Sequence, residues 1–526
     1  MARIVLLQCE LEHRHQAPHL AMALYASDLT NSGHEVEMAL VHPSALEQAG
    51  EAIAGRCDLL VLDSIFPFAL VGRLRELSGA PVLVGGHNAL QHALRGPADL
   101  ALCGPGRGPL GQFVSWLDQQ DDVRDGPWPT HIPGLWFRNA EGLLDCPTPA
   151  GTGSVGSEVF PFQPELNWDY YGPPRAPGSN LRIPSVVAEL GCLYNTSAMG
   201  SQGPQFYANV QPRLPEATLT DRAEQAVRQL TVGNEGGCTF CVFRTTKFVR
   251  KAGASAIPDL LVQIRYLVGL GARGVSLQTE QPLPLLPPLL TELRKDETLV
   301  GALEELHVRT IPWLLLRQEE HLLQAIGLCR ELGIQLVLGQ VGFEAFDPLS
   351  LDVFHKGLTA TDNRRAARTL SQLSEAHSDC FRGTDGHGLI PLHPWTSPEA
   401  LATNLQACRE DAPWLLPRLH PRSRLELYHE WGPLFWKAQD DGLIEPSDDE
   451  FGWRFRFQDD RTSELVAVWA TLVALSTQRV QSAPSPATAA HVLLEWVLEA
   501  WRQNPEPETR KAAYMALRDR VVGRPA

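Results

Sequence analysis

Long hydrophobic runs are missing from this sequence of 526 residues. No stretch reaches the roughly 18 consecutive apolar residues that a membrane-spanning helix needs, so we expect no membrane span. The first residues, MARIVLL, form too short an apolar run for a secretory signal, and no small-residue cleavage site follows them. We therefore expect a cytoplasmic protein.

An excess of positive charge is also absent. Lysine and arginine number 45 against 61 aspartate and glutamate residues, which gives a formal net charge of −16. A protein that binds nucleic acid in general would show a basic stripe, so we expect no nucleic-acid partner. The apolar fraction of 44% is ample for the cores of about two to four domains.

Cysteine is sparse, with ten in the whole chain, which excludes a disulfide-rich scaffold. We expect most of these thiols to be buried in cores. The exception is the segment GGCTFC at 236–241, which places Cys238 and Cys241 three residues apart. Cys192 lies far upstream, where a predicted strand ends. Three thiolates can hold three irons of a [4Fe–4S] cluster and leave the fourth iron open to another ligand.

Other interpretations of these cysteines remain open. Asn234 stands where a local C-x3-C-x2-C pattern would have its first cysteine, and an amide is a poor ligand for iron. The close pair alone is half of a zinc site, but the sequence has no second C-x2-C pair. A redox dithiol should open a helix after a strand. If instead Cys192 is a buried core thiol, the site is degenerate. If it is a ligand, residues 193–235 form an insertion, at an entropic cost of only about 0.6 kcal/mol per doubling of loop length.

Residues 1–140 alternate between apolar strands and helices. We predict strands at 3–8, 35–41, 58–64, 81–85 and 99–103, with helices at 18–31 and 43–53. This spacing favours a parallel, doubly wound, Rossmann-like sheet, in which ligands bind beyond the carboxyl ends of the strands. Gly85, Gly86, Gly104 and Gly106 fall at such ends.

Residues 141–181 are predicted to be a linker, after a hairpin near 134–144. Residues 182–400 alternate again, with strands expected at 184–190, 274–278, 307–315, 335–344 and 388–393, and helices at 257–270, 318–332 and 361–377. This pattern predicts a full or partial (β/α) barrel, whose chemistry lies at the carboxyl ends of its strands. Residues 401–526 are predicted to be mainly helical, with an aromatic-rich core and a peripheral tail from 510 onward.

Several segments together resemble the radical S-adenosylmethionine enzymes, in the branch that also binds cobalamin. The stretch ELGC ending at Cys192, followed by GCTFC, resembles the family's cluster loop split by an insertion. The stretches VGFEAF at 341–346 and HKGLT at 355–359 resemble its fifth strand. IPLHPWTS at 390–397 resembles the sixth strand of the cobalamin-dependent branch, and GPL at 432–434 resembles a later motif. The N-terminal block is similar to its cobalamin-binding domain.

This resemblance implies a [4Fe–4S] cluster, S-adenosylmethionine and cobalamin as cofactors. The implied metal ligands are Cys192, Cys238 and Cys241. The residues implied to contact S-adenosylmethionine are Phe240, Glu280 and Glu344. Those implied to contact the corrin and its nucleotide tail are Ser64, Gly85, Gly86, Gly104 and Gly106.

Two departures from the family pattern stand beside these matches. The stretch QTEQP at 278–282 replaces the usual Gly-Gly-Glu, which leaves the contact with the methionine amino group in doubt. No D-x-H-x-x-G motif follows the first strand, although His13 and His15 lie there. The resemblance predicts a C-methyltransferase acting on an unactivated carbon of a natural-product peptide or small metabolite, with a flavodoxin or ferredoxin as electron donor. The alternatives are a radical enzyme that rearranges, cyclises or epimerises its substrate, and a degenerate scaffold protein.

Overall fold

The computed structural model describes most of the chain, and the predicted site is only partly among the described residues. The described ranges are 1–9, 20–64, 66–86, 88–103, 107–120, 127–149, 184–187, 205–207, 210, 219–231, 238–239, 256–269, 271–279, 281–427, 433–445, 453–482 and 488–522. Outside them lie His13, His15, Gly104, Gly106, Cys192, Asn234, Phe240, Cys241 and Glu280.

The first part of the chain forms one sheet flanked by helices. Its strands are β1 (Arg3–Cys9), β2 (Glu35–Val41), β3 (Leu59–Asp63), β4 (Val82–Gly85), β5 (Leu100–Leu102), β6 (Leu135–Arg138) and β7 (Leu144–Asp145). Its helices are α1 (Leu20–Asn31), α2 (Leu46–Ile53), α3 (Phe68–Ser78), α4 (Ala89–Arg95) and α5 (Arg107–Leu117). The order among described strands is β2-β1-β3-β4-β5-β6-β7, parallel through β5. The predicted doubly wound sheet is confirmed, and the predicted hairpin extends its edge as two antiparallel strands.

Alternation of side chains across this sheet explains its three layers. Ile4 and Leu6 of β1 are buried on one face with residues of α1 and α5. Val5 and Leu7 point to the other face and are buried with residues of α2 and α3. Strands buried on both faces need nearly continuous apolar sequence, which is what made them predictable.

The second sheet is the predicted barrel region. Its described strands are β8 (Ser185–Val187), β9 (Gly274–Gln278), β10 (Glu305–Thr310), β11 (Gln335–Glu344), β12 (Phe381–Arg382) and β13 (Gly388–Leu389). They run parallel in the order β12-β11-β10-β9-β8, and β13 also pairs with β11. Helix α6 (Asp221–Thr231) packs against the first sheet. The helices of the barrel are α7 (Ile257–Gly269), α8 (Leu286–Leu293), α9 (Pro312–Arg317), α10 (Glu319–Leu332), α11 (Pro348–Phe354) and α12 (Ala360–Ala376). This arrangement is a partial (β/α) barrel.

Three details of the barrel prediction were wrong. The predicted strand 307–315 ends at Thr310, because Pro312 starts α9, and proline favours the first turn of a helix. Of the predicted strand 388–393, the strand β13 covers only Gly388–Leu389. The strand that ends at Glu344 is fourth from β8 rather than fifth, and IPLHPWTS follows the fifth strand position.

The last part of the chain packs on the barrel, and the two regions share one continuous apolar core. It contains α13 (Pro398–Asp411), α14 (Pro433–Asp440), the pair β14 (Ile444–Glu445) and β15 (Arg454–Phe455), α15 (Asp460–Ser482), α16 (Ala490–Gln503) and α17 (Pro507–Val522). Phe435, Trp436 and Phe455 are buried, as predicted for a core. The tail is not peripheral, because α17 packs on α15 and α16 with Tyr514 buried. In the described ranges, no helix is both long and apolar enough to cross a membrane.

Candidate functional site

The carboxyl edge of the first sheet forms one candidate site, where β3 and β4 end. Strand order reverses between β1 and β3, and ligands of doubly wound sheets bind at such a reversal. The Ser64 amide donates to the Gly85 carbonyl over 2.9 Å, and the Ser64 hydroxyl accepts from the Asn88 amide over 3.0 Å. Ser64 is fully buried. Its side chain therefore fixes the loop that follows β4.

Gly86 gives this loop its shape. Its φ of +117° is one that side-chain-bearing residues rarely adopt, and a Cβ there would lie 2.7 Å from Ser64 Oγ. Asn88 is buried, and its Oδ1 has no hydrogen-bond partner among the described residues. A buried acceptor without a donor is costly, so this edge fits a ligand that carries N–H groups. Cobalamin, with amide side chains around its corrin, is such a ligand.

A buried histidine also contacts Ser64. His92 Nε2 lies 3.3 Å from the Ser64 carbonyl oxygen. Burial lowers the pKa of His92 to about 4, so the imidazole is neutral at neutral pH. A neutral ring with its proton on Nε2 can donate to that carbonyl.

The second candidate site lies at the carboxyl end of β11, where the described part of the predicted cluster loop is attached. The Thr239 amide donates to the Phe354 carbonyl over 3.0 Å, and the Thr239 hydroxyl donates to the Val353 carbonyl over 2.7 Å. Both carbonyls belong to the end of α11, the helix that follows β11. Cys238, which is half-buried, is thereby held on the side of the barrel where catalytic groups belong.

A buried ion pair ends β11 at the same place. Lys356 Nζ lies 3.1 Å from Glu344 Oε1, and the two side chains are only 4% and 13% exposed. Glu344 itself has a left-handed φ of +59°. Lys356 is two residues beyond Phe354, the residue whose carbonyl binds the Thr239 amide. A largely desolvated charge pair provides a strong, fixed field for a charged ligand.

Behind the ion pair, a buried polar network joins the end of β11 to the segment after β13. His393 Nδ1 accepts from the Trp395 amide over 3.3 Å, so Nε2 carries the proton and donates to Ser350 Oγ over 2.7 Å. Burial lowers the pKa of His393 to about 3. Asp347 accepts from the Ser350 amide over 2.9 Å and from Asn404 Nδ2 over 3.1 Å. This network makes the end of β11 rigid.

No family model matches the sequence, and a search of curated proteins finds no match either. The fold does match solved structures. The cobalamin-dependent S-adenosylmethionine radical enzyme OxsB, with aqua-cobalamin bound, aligns with 99% of this chain and 76% of its own, at a TM-score of 0.62 and 14% identity. The same enzyme with aqua-cobalamin and S-adenosylmethionine bound aligns over 99% and 75%, at a TM-score of 0.58 and 14% identity. The chain has the fold of a cobalamin-dependent radical S-adenosylmethionine enzyme.

A further solved structure with some similarity is TsrM from Kitasatospora setae, a radical S-adenosylmethionine methyltransferase with cobalamin and a [4Fe-4S] cluster bound. It aligns with 78% of this chain and 73% of its own, at a TM-score of 0.49 and 16% identity.

At two places in this fold, described residues that the sequence predicted as cofactor contacts or ligands are found. Ser64, Gly85 and Gly86 lie together at the edge of the first sheet. Cys238 is joined through Thr239 to the end of α11, and Glu344 ends the preceding strand β11. The described residues contain no group of three metal-binding side chains, because Cys192 and Cys241 lie outside them. The ligand set therefore stays a prediction.

Sequence reasoning missed the polar face of the barrel sheet. Arg309 donates to Gln278 Oε1, and Glu305 binds both His307, over 2.8 Å, and Arg382, over 2.8 Å. Along β10 these polar residues alternate with Leu306 and Val308, which are buried against the outer helices. This alternation of polar and apolar residues is the sequence signal from which the polar face could have been predicted. Parallel strands buried on both faces are apolar throughout, so the polar face of β10 distinguishes this strand from β1 and β3.

Proposed function

We propose that this chain is a cobalamin-dependent radical S-adenosylmethionine enzyme that methylates an unactivated carbon of a natural-product peptide or small metabolite. The observation that carries the proposal is the attachment of Cys238 and Thr239 to the end of α11, the helix that follows β11 at the carboxyl side of a partial barrel. A parallel sheet of the type that binds cobalamin precedes this barrel. The alignment of OxsB with 99% of this chain supports the proposal.

The residues that would hold each group follow from their positions. Cys192, Cys238 and Cys241 would bind the cluster, and Phe240, Glu280 and Glu344 would contact S-adenosylmethionine. Cobalamin would lie against the edge formed by Ser64, Gly85, Gly86, Gly104 and Gly106. When bound, the cluster supplies one electron to S-adenosylmethionine to start radical chemistry, and cobalamin supplies a methyl group.

The chain's own residues bind, orient and exclude water. The hydrogen bonds of Thr239 hold Cys238 at the barrel edge, so the thiolate is positioned before a cluster forms. Lys356 keeps the Glu344 carboxylate in one place, and both charges are shielded from solvent. Asn88 Oδ1 would accept a hydrogen bond from an amide of the bound corrin.

The proposal also includes a cytoplasmic setting and a small electron-transfer partner such as a flavodoxin or ferredoxin. None of the described cysteines forms a disulfide, and a thiolate-bound cluster needs reduced cysteines. The substrate would be a small molecule or peptide that enters the polar side of the barrel sheet.

Anaerobic reconstitution with iron and sulfide tests the cluster. The wild-type chain should bind about four irons, and Cys192→Ala and Cys238→Ala should each lose them. Cys57→Ala is the matched control, because Cys57 is a buried thiol of the first domain and its loss should leave the iron content unchanged. Iron retained by Cys192→Ala would mean that another residue is the ligand, and a wild-type chain without iron would favour the degenerate scaffold.

Product mass separates methyl transfer from the other radical outcomes. A substrate that gains one methylene supports the methyltransferase. A product of unchanged mass, or one that is lighter by two hydrogens, would instead support rearrangement, epimerisation or cyclisation. Corrin absorbance of the anaerobically purified chain shows independently whether the first domain binds cobalamin.

A further inference from the structure

Two longer described stretches lie in the segment between Cys192 and Cys238, and one of them is docked on the first domain. Just before α6, the Thr220 amide donates to the Leu144 carbonyl over 3.0 Å, and the Thr220 hydroxyl donates to Asp145 Oδ1 over 2.7 Å. Arg222 binds the other oxygen of Asp145 over 2.7 Å. Apolar side chains of α6 are buried in a cluster with those of α4, the helix that follows Asn88.

The other of these two stretches, Gln205–Tyr207, is docked on the barrel. The Tyr207 hydroxyl donates to the Val353 carbonyl over 2.6 Å and lies 3.4 Å from Thr239 Oγ1. Phe206 packs edge-on against Trp395, with ring centroids 4.9 Å apart. Lys437 Nζ of α14 lies 5.1 Å from the centroid of the Phe206 ring. The insertion is therefore anchored at one end to the barrel and the helical region, and at the other to the first sheet.

One carbonyl joins the insertion to the cluster loop. Val353 O receives hydroxyl donors from both Tyr207 and Thr239, and these side chains are 9% and 1% exposed. A carbonyl has two lone pairs, so the two donors fill its capacity. Thr239 directly follows Cys238, so a change in this junction is transmitted to the thiol.

We propose that Tyr207 is a positioning residue for the cluster loop, and that the insertion carries it to the barrel for this purpose. The inference rests on the proposed function for its meaning, since Cys238 matters only if it holds the cluster. The hydroxyls of Tyr207 and Thr239 together hold Cys238 in the place where it binds iron. The insertion that splits the cysteine motif thus supplies the anchor for its second half.

The test compares Tyr207→Phe with Tyr514→Phe. The Tyr514 hydroxyl on α17 is buried and has no hydrogen-bond partner in the described part of the chain, so its removal is the same chemical change without loss of an anchor. In the cluster-free chain, the thiol of Cys238 is labelled with iodoacetamide and followed by peptide mass. Tyr207→Phe should label about fivefold faster than wild type, which is the effect of one ordinary hydrogen bond on local opening. Tyr514→Phe should label at the wild-type rate, and equal rates for all three proteins would overturn the proposal.

The reconstituted proteins provide a second readout. Tyr207→Phe should keep its iron but change the electron paramagnetic resonance signal and midpoint potential of the reduced cluster, because the thiolate is less restrained. Thr239→Val should change the same signal and potential as Tyr207→Phe does. Thr239→Ser keeps the hydroxyl and should give the signal and potential of wild type. Equal behaviour of the valine and serine variants would overturn the anchoring role of the hydroxyl. A wild-type chain without iron would defeat the proposed function, while the labelling rates would still decide whether Tyr207 positions Cys238.

Discussion

Single residues determine whether the end of β11 can hold its ion pair. A Cβ on Gly342 would lie 2.6 Å from Glu344 Oε1 and 3.2 Å from Lys356 Nζ. Glycine at 342 therefore leaves the space that the carboxylate and the ammonium group occupy. The Glu344 backbone accepts from the Ile390 amide over 2.7 Å, so β11 cannot easily shift to make room.

Gly342→Ala should therefore displace the ion pair and destabilise the barrel by about 2 kcal/mol, because a buried charge loses its partner. The midpoint of thermal unfolding should fall by about 4 to 8 °C. Gly339→Ala on the same strand is the control, because its Cβ would meet His307 Nδ1 at 3.8 Å, which is ordinary contact. If both variants unfold at the same temperature, the packing argument for Gly342 is wrong.

At the scale of elements, α12 begins four residues after Lys356 and fixes the segment that carries it. Thr359 caps this helix, since its hydroxyl accepts from the Asp362 amide over 3.1 Å. The Asp362 side chain accepts in return from the Thr359 amide over 3.2 Å. This capping box satisfies two amides that would otherwise lack partners at the start of the helix.

We expect Thr359→Ala to cost about 1 kcal/mol, because the cap is lost. Hydrogen exchange should speed up at the amides of the first turn of α12. Thr361→Ala removes the same hydroxyl from an exposed position in that turn and should leave exchange and stability nearly unchanged. Equal acceleration in both variants would show that the capping box does not hold this segment.

At the scale of the whole molecule, the three regions touch through specific contacts. The Arg95 guanidinium of α4 lies 5.6 Å from the Phe68 ring centroid and 5.7 Å from that of Trp453, which belongs to the helical region. The insertion adds α6 on the first sheet and Tyr207 on the barrel. Buried histidines occur in two of these regions: His92 beneath the first sheet's loop, and His387 and His393 in the barrel.

Stability should therefore fall between pH 7 and pH 5. Burial lowers the pKa values of His92 and His387 to about 4 and that of His393 to about 3, from 6.5. Over this range the three histidines bind protons in the unfolded chain but not in the folded chain. Each of them should therefore lower the free energy of unfolding by about 2 kcal/mol. The stability they contribute is fully present above pH 6.5 and is lost as the pH falls toward the folded values.

The measurement is the urea midpoint at both pH values, for wild type, His387→Gln and His321→Gln. His387 bonds the Val341 amide and the Gly383 carbonyl, each over 2.7 Å, and a glutamine amide offers the same pair of groups. Between pH 7 and pH 5, the free energy of unfolding of His387→Gln should fall by about 2 kcal/mol less than that of wild type. His321 is exposed, so its replacement should leave the fall unchanged. If the urea midpoint of wild type is the same at pH 7 and pH 5, the folded chain binds these protons as readily as the unfolded chain, and the prediction is wrong.

Local sequence patterns were enough to predict most of the strands and helices. Strands β1 and β3 are nearly continuous apolar runs, and such runs are predictable because both faces of a parallel sheet are buried. The periodicity of α10 and α12 likewise matches their buried faces. Glu344 and Cys238 were placed at the barrel edge from motif order alone. The strand predicted at 307–315 exists but was extended too far, past Thr310 into α9, because apolar content alone does not separate a strand from a buried helix.

The sequence by itself determined the two sheets and their order along the chain, because these follow from hydrophobic period and spacing. Only the tertiary structure decided that α17 is packed, since its few apolar side chains gain their burial from α15 and α16. It also decided that Lys356 pairs with Glu344, that Gly342 leaves room for this pair, and that Tyr207 shares an acceptor with Thr239. Such contacts join residues far apart in the chain, and no local pattern encodes where two distant hydroxyls will meet one carbonyl.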